Sequence, residues 1–499
     1  MSEFRKVVKH MSIYSLGVLL GKVSSFLMLP LYTHVLSPAD YGVIELLQLF
    51  GYTLAIVVGV GMASAVLRFY YVYHDPDRRH AVVSTGMAIL AVLFAATVTL
   101  AMPFSKPLSQ VIFGTAAYAS LVRLELIVFA LANFIEIPLA YVRAKQASVT
   151  FVAICTVRLV IELTLNVIML VVLKLGVAGI LYSSITTSML VGGYLIMQTL
   201  RETGFRPSLA IGRQLVAFGL PLVLQGLGTF TINFSDRYFL RLFGTLDQVG
   251  MYSLAYKIAA IAAVLLADPF AQIWGPKFFE IANRPDGRRT CQAMFRHLNL
   301  VMIFAILGLS LFAPDVLQFM TAAPFRGAAA VVPVIGLSYL FASYRQFSYV
   351  GFWVKTETRP VARLTTLAAG VNLIGNVLLI PRFGMWGAAW ATVVAYGVEF
   401  LVGIGMSQRR YRVDYPWTAI VAPLLGAAAM YVFVLLLASL VSGPALFAAK
   451  AIVLLLFPVL ALAVGALSPL EFRTLVAFVH NPARAMRAIY AVSPQGVRT

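Results

Sequence analysis

The sequence predicts an all-α integral membrane protein of about 14 transmembrane helices. Composition, the length of the apolar runs and the placement of the charges carry that prediction. Of 499 residues, 61% are hydrophobic and only 11% are charged, against roughly 25% charged in a typical soluble domain. A water-soluble fold of this size could not remove so much apolar surface from water, so lipid must be most of its solvent. A cytosolic enzyme and a disordered tail protein are excluded. Two cysteines, Cys155 and Cys291, also exclude a disulfide framework and any cysteine-only zinc site.

Apolar runs of about 20 residues, enough to cross a hydrocarbon core of roughly 30 Å, occur fourteen times. Spans 1 to 6 cover 12–34, 38–66, 81–104, 117–142, 148–173 and 176–200. Spans 7 to 14 cover 214–242, 248–276, 291–313, 328–354, 360–381, 385–408, 416–441 and 446–467. Their continuity argues against a membrane barrel, whose strands would be short and alternating. Met1–His10 is polar and basic and the first run is long enough to span, so no cleavable leader is expected.

The net charge of +19 sits between the spans. Of 38 Lys and Arg residues, 25 fall at the termini and in even-to-odd loops, seven in or beside odd-to-even loops, and six within spans or at their margins. By the positive-inside rule both termini are expected in the cytoplasm. The basic balance is then a topology signal that needs no nucleic-acid partner. Clusters such as Arg409, Arg410 and Arg412 are suited to anionic lipid headgroups.

No loop is long enough for a domain. The longest inside connection is Ala282–Thr290, and the largest outside gaps are Pro103–Ala116 and Pro314–Gly327. A membrane glycosyltransferase or polymerase is expected to place catalytic carboxylates outside, and only Asp315 stands in those two gaps. The six histidines show no metal-ligand spacing. Gly17 and Gly21-Lys22 imitate a phosphate loop, but the spacing is one residue short and Val23 follows where Ser or Thr is required. Neither cofactor nor metal is expected.

An internal repeat organises the chain. Gly42 and Gly250 stand in similar turns 208 residues apart, and the pairs Gly176/Gly384 and Gly179/Gly387 keep the same offset. Short loops favour glycine in any case, which is the competing explanation. A repeat unit of six spans is even-numbered, so both copies would face the same way, a transporter arrangement. The expected division is 1–206 as an N-lobe, 207–412 as a C-lobe, 413–467 as spans 13 and 14, and 468–499 as a tail on the inner surface.

Several stretches carry a family resemblance. Asp236-Arg237 through Gly244, continuing to Tyr252, Tyr256 and Lys257, resembles the helix 7–8 signature of polysaccharide transporter family flippases, within the multidrug/oligosaccharidyl-lipid/polysaccharide exporter superfamily. Trp274-Gly-Pro276, Asn372 and Asn376 before Ile380-Pro381, and the opening Leu36 to Gly42 also fit. The resemblance implies two six-helix lobes with alternating access. It also implies an oligosaccharide cargo on a polyprenyl diphosphate, with glycosyltransferases and a polysaccharide polymerase as pathway partners. Spans 13 and 14, uncharged from Pro416 to Ala449, would form a groove for the polyprenyl tail. A peptidoglycan-precursor flippase and a drug/cation antiporter are the alternatives within the superfamily. An integral membrane glycosyltransferase or polymerase is the alternative outside it.

A diphosphate crossing the low-dielectric layer needs cations near mid-depth, where they are costly unless they face water or a partner. At 1.5 Å per residue, Lys22, Lys257 and Arg158 come out about 14–15 Å deep, and Arg123 about 9 Å from the outside. Each has a structural alternative. Arg158 could pair with Glu162 one turn on, and Lys22 with Glu45 on the adjoining span. Lys257 has no acid three or four residues away on its own helix and is expected to face a cavity. Glu125, Glu162 and Glu399 could carry coupling protons or close packing salt bridges. In the repeat Lys22 corresponds to Phe230 and Lys257 to Leu49, so these charges are not duplicated.

Overall fold

The computed structural model describes residues 26–282 and 284–472. Thirteen of its helices are long and apolar enough to cross a membrane, and they match predicted spans 2 to 14 in order. Span 1 lies mostly outside the described residues, although its end, Leu29–Val35, is helical. No strand occurs among the described residues. The chain is an all-α, multi-pass integral membrane protein.

Span 2 runs Pro38–Val72, longer than its apolar stretch. Its start is fixed by a capping box: Ser37 Oγ accepts from the Asp40 N–H, and the Ser37 N–H donates to Asp40 Oδ2, both at 3.1 Å. Near its other end the helix breaks at Val60 (φ 47°) and Gly61 (φ 56°). A β-branched residue in the left-handed region is strained. The displaced Val60 carbonyl fits only because span 7, Leu209–Phe243, presents Gly219 there: a Cβ on that glycine would lie 1.8 Å from the Val60 oxygen.

The outside gaps expected to be loops are largely helical. Ser105–Phe113 continues beyond span 3 and ends on Gly114 (φ 70°). Span 9 runs Gly287–Met320, straight through Pro314. The first of these extensions buries Ser105, Ser109, Ile112 and Phe113, and a sequence window reading average hydropathy cannot register such a short amphipathic face. Spans 5, 6 and 8 each contain one turn of π-helix, at Ile168–Val172, Ser188–Gly192 and Ala263–Ala267. Such turns widen a helix locally and recur at functional sites.

The chain falls into two compact units. The first contains Met1–Lys257, Leu317–Ala328 and Thr365–Ala395, and the second Ile258–Val316, Ala329–Leu364 and Tyr396–Thr499. The first has an aliphatic core around Met62, Val66, Val82, Phe94, Phe129 and Leu215. The second is aromatic at its centre, where Phe295 packs against Phe347 at 4.7 Å and edge-on to Tyr344 at 4.9 Å.

Within the first unit, spans 2 and 8 cross at close quarters. Span 8 is Leu246–Gly275. A Cβ on Gly42 would lie 2.1 Å from the Leu246 carbonyl oxygen, and a Cβ on Gly250 would lie 2.1 Å from that of Pro38. Pro38 and Leu246 are themselves 208 residues apart, so the two halves of the crossing are the same contact made in both directions.

Candidate functional site

Below this crossing, Glu45 of span 2 and Lys257 of span 8 meet. Lys257 Nζ lies 2.6 Å from Glu45 Oε1 and donates to the Tyr41 hydroxyl at 2.7 Å. The ammonium also lies 4.9 Å from the Tyr41 ring centre, a favourable cation–π distance. Tyr41 in turn packs edge-on against Phe325. The pair is asymmetric in access: the Lys257 side chain is 30% exposed, that of Glu45 only 10%.

A second charge pair is sealed nearby. Arg237 Nη1 donates to Asp236 Oδ1 at 2.8 Å, and the Tyr252 hydroxyl donates to Asp236 Oδ2 at 2.6 Å. The guanidinium stacks 4.1 Å from the Tyr256 ring centre and touches the Phe234 and Tyr252 rings. Asp236 and Arg237 are both buried, so the cost of desolvating them offsets much of their mutual attraction. Asn372 and Asn376 join spans 7, 11 and 12 through side-chain hydrogen bonds to Ser235 and Thr392. The stretch that carried the resemblance thus contains both this sealed pair and Lys257.

The remaining candidates are dispersed. Lys22 lies outside the described residues. Among the described residues Glu45 is held by Lys257. Arg158 and Glu162 line a separate cavity with Glu125, one turn apart on span 5 and without an ion pair between them among the described residues. Arg123 donates from Nε to Ser105 Oγ at 2.9 Å. Glu399 is fully buried in the second unit and accepts from the Tyr349 hydroxyl. Asp315 is held by Lys450 at 2.5 Å, an ion pair that the sequence did not suggest. Tyr41, Tyr252 and Tyr256 lie in the motif stretches, but their place around the charges does not follow from spacing. No cluster of metal-ligating side chains occurs among the described residues.

The family of polysaccharide biosynthesis proteins matches residues 7–282, more than half the chain. The chain belongs to this family. The resemblance noted from the sequence is borne out at that level. Among curated proteins, the probable low-salt glycan biosynthesis flippase Agl15 of Haloferax volcanii is 24% identical over 199 residues, 39% of this chain and 42% of that protein. The chain thus spans less than half the length of that relative. Among solved structures, the lipid II flippase MurJ in an inward closed conformation superposes with a TM-score of 0.70 at 14% identity, covering 90% of this chain and 98% of that one. A multidrug resistance MATE family transporter of the MOP superfamily, inward-facing, gives a TM-score of 0.62 at 17% identity over 79% of this chain and 96% of that one. At these identities the family member shares their fold.

Proposed function

We propose that the chain is a flippase-type transporter. Its cargo is an oligosaccharide on a polyprenyl diphosphate, moved by alternating access across the bacterial cytoplasmic membrane for surface polysaccharide such as O-antigen, capsule or exopolysaccharide. Lys257 carries the reading. It is a cation within a span, partly open to its surroundings, and its carboxylate partner is the more buried of the two. A diphosphate arriving from the open side can take over the ammonium while Glu45 stays on its helix. Lys22, at similar estimated depth on span 1, is the second cation of this site. Arg123 and Arg158 have other partners or surroundings and stand further from the cargo. Both termini lie in the cytoplasm, 1–206 and 207–412 act as paired lobes, and spans 13 and 14 face the polyprenyl tail.

Family membership and the flippase named among the relatives support this reading. The fold is equally that of a drug/cation antiporter or a peptidoglycan-precursor flippase, and cargo assays separate the three. Asp315, the carboxylate on which the polymerase alternative rests, forms an ion pair with Lys450, which gives it a structural role compatible with transport.

The test uses the full chain in sealed vesicles with a polyprenyl-diphosphate-linked oligosaccharide as probe. Lys257→Ala should reduce transbilayer movement per molecule by about 30-fold or more, the equivalent of roughly 2 kcal/mol for a lost charge-assisted contact. A Lys257→Ala/Glu45→Ala double variant should recover abundance but not movement. Normal movement by Lys257→Ala, or recovery by the double variant, overturns the role of Lys257. Movement of organic cations with none of the lipid-linked probe would select the antiporter.

A further inference from the structure

Inside the first unit, spans 2, 4, 5 and 6 enclose a cavity of about 160 Å³ that does not contain Lys257. Its size leaves room for several waters. Its polar lining is Gln48, Glu125, Arg158 and Glu162, with the hydroxyls Ser184, Thr187 and Ser188. Glu125 is 4% exposed and has no ion-pair partner among the described residues. One of its oxygens lies against Gly51: a Cβ on that glycine would be 2.2 Å from Glu125 Oε1. Thr187 Oγ1, also buried, has no hydrogen-bond partner among the described residues. The π-helical turn of span 6 begins at Ser188, on the cavity wall.

Counting charge decides what this cavity can hold. With every group ionised its described lining has two carboxylates and one guanidinium, an excess of one negative charge in a low-dielectric interior. Among the described residues, the other packed elements do not offset it. Span 2 presents Ile44 and Gln48, span 6 presents hydroxyls, and span 3 meets span 4 through the Phe94–Phe129 ring contact. On span 4 itself, Arg123 is turned to Ser105. From the end of span 1, Tyr32 accepts a hydrogen bond from Asn166, one turn beyond Glu162. One added proton neutralises the excess, whereas a metal cation would have to share the space with the guanidinium.

We propose that this cavity is a proton-binding site, with Glu125 as the acceptor and Arg158 and Glu162 as its fixed charges. Loading and release of that proton couple the transport cycle to the pH gradient, a role that rests on the transport reading above.

The test is infrared spectroscopy of the full chain in lipid vesicles, which needs no cargo. A protonated-carboxyl band should be present at neutral pH, titrate away on alkalinisation and be lost in Glu125→Gln. Glu162→Gln should move the same titration to lower pH by about one unit or more, because a neighbouring negative charge is removed. This second variant keeps Glu125 and serves if Glu125→Gln fails to fold. A band unchanged in Glu125→Gln, a titration unmoved by Glu162→Gln, or displacement of the proton by sodium at fixed pH overturns the proposal. In the vesicle assay Glu125→Gln should lose the dependence of movement on the pH gradient, while Lys257→Ala loses movement itself. An intact Glu125 band in a protein that moves no lipid-linked probe would overturn the transport reading alone.

Discussion

Lys257 and Lys450 both stand inside membrane-crossing helices, and both reach a carboxylate on another span, at 2.6 Å and 2.5 Å. They are built in opposite senses. At the crossing of spans 2 and 8 the lysine is the open partner and the acid the buried one. Between spans 9 and 14 the lysine is 7% exposed and Asp315 is 34% exposed. An ammonium closed in by protein has only its carboxylate to balance it, so Lys450 ties span 14 in place. An ammonium with an open side can exchange partners. Similar distances therefore serve different purposes, and access to the cation is what separates them.

Removing the acids should give the largest contrast. Asp315→Ala leaves a buried lysine unpaired and should destabilise the protein by about 3–5 kcal/mol, whereas Glu45→Ala leaves Lys257 its open side and should cost far less. Thermal midpoints in detergent measure this, and equal losses would break the comparison. Removing the lysines should reverse the order, with Lys257→Ala stranding Glu45 and lowering abundance more than Lys450→Ala, which leaves the more accessible Asp315. Membrane abundance by immunoblot reads that difference.

Smaller effects are expected at the crossing itself. Gly42→Ala and Gly250→Ala each push a methyl into a backbone carbonyl and should cost about 1–3 kcal/mol. The two losses should be alike, because the contacts are alike, and clearly unequal midpoints would argue against the symmetric crossing.

The smallest effect concerns a half-buried carboxylate that lies beyond the spans. After span 14, burial raises the Glu471 carboxyl. The Ser468 N–H, His297 and Arg296 outweigh burial and hold it down at about 2. A carboxyl depressed below its unfolded value of about 4.3 contributes stability above that value and loses it as pH falls towards 2. Glu471→Gln should therefore flatten the acid limb of the thermal midpoint between about pH 4.5 and 2. An unchanged limb would show that this contact contributes nothing.

The fold was legible because a helix that crosses lipid must be apolar for about 20 residues, and spans 2 to 14 all announce themselves in that way. The short helix at Ser105–Phe113 and the break at Val60 were not legible. The first is too short and mixed for a hydropathy window, and the second puts a β-branched residue where propensity argues against it. Lys257 was found through the rarity of charge in a span. Its partner was missed because Glu45 belongs to a distant part of the chain, and same-helix spacing says nothing about neighbours across a crossing. The 208-residue offset held a usable signal. Given that Gly42 meets Gly250, residues a turn or two further along spans 2 and 8 must be near one another, which places Glu45 close to Lys257. Arg123 illustrates the opposite limit: it donates to Ser105 on a short helix that the sequence did not reveal.

The glycine crossing has one further consequence. Pro38 and Gly42 meet Leu246 and Gly250 through one contact made twice, which is the signature of an isologous interface, a surface complementary to its own copy after a half-turn. The edge of span 2 at Gly42 thus has the geometry of a homodimer contact. A six-span half carrying it would already possess the means to recognise a second half. Fusing two such halves into one chain would preserve that interface, and the unmatched charges Glu45 and Lys257 could then be placed on either side of it.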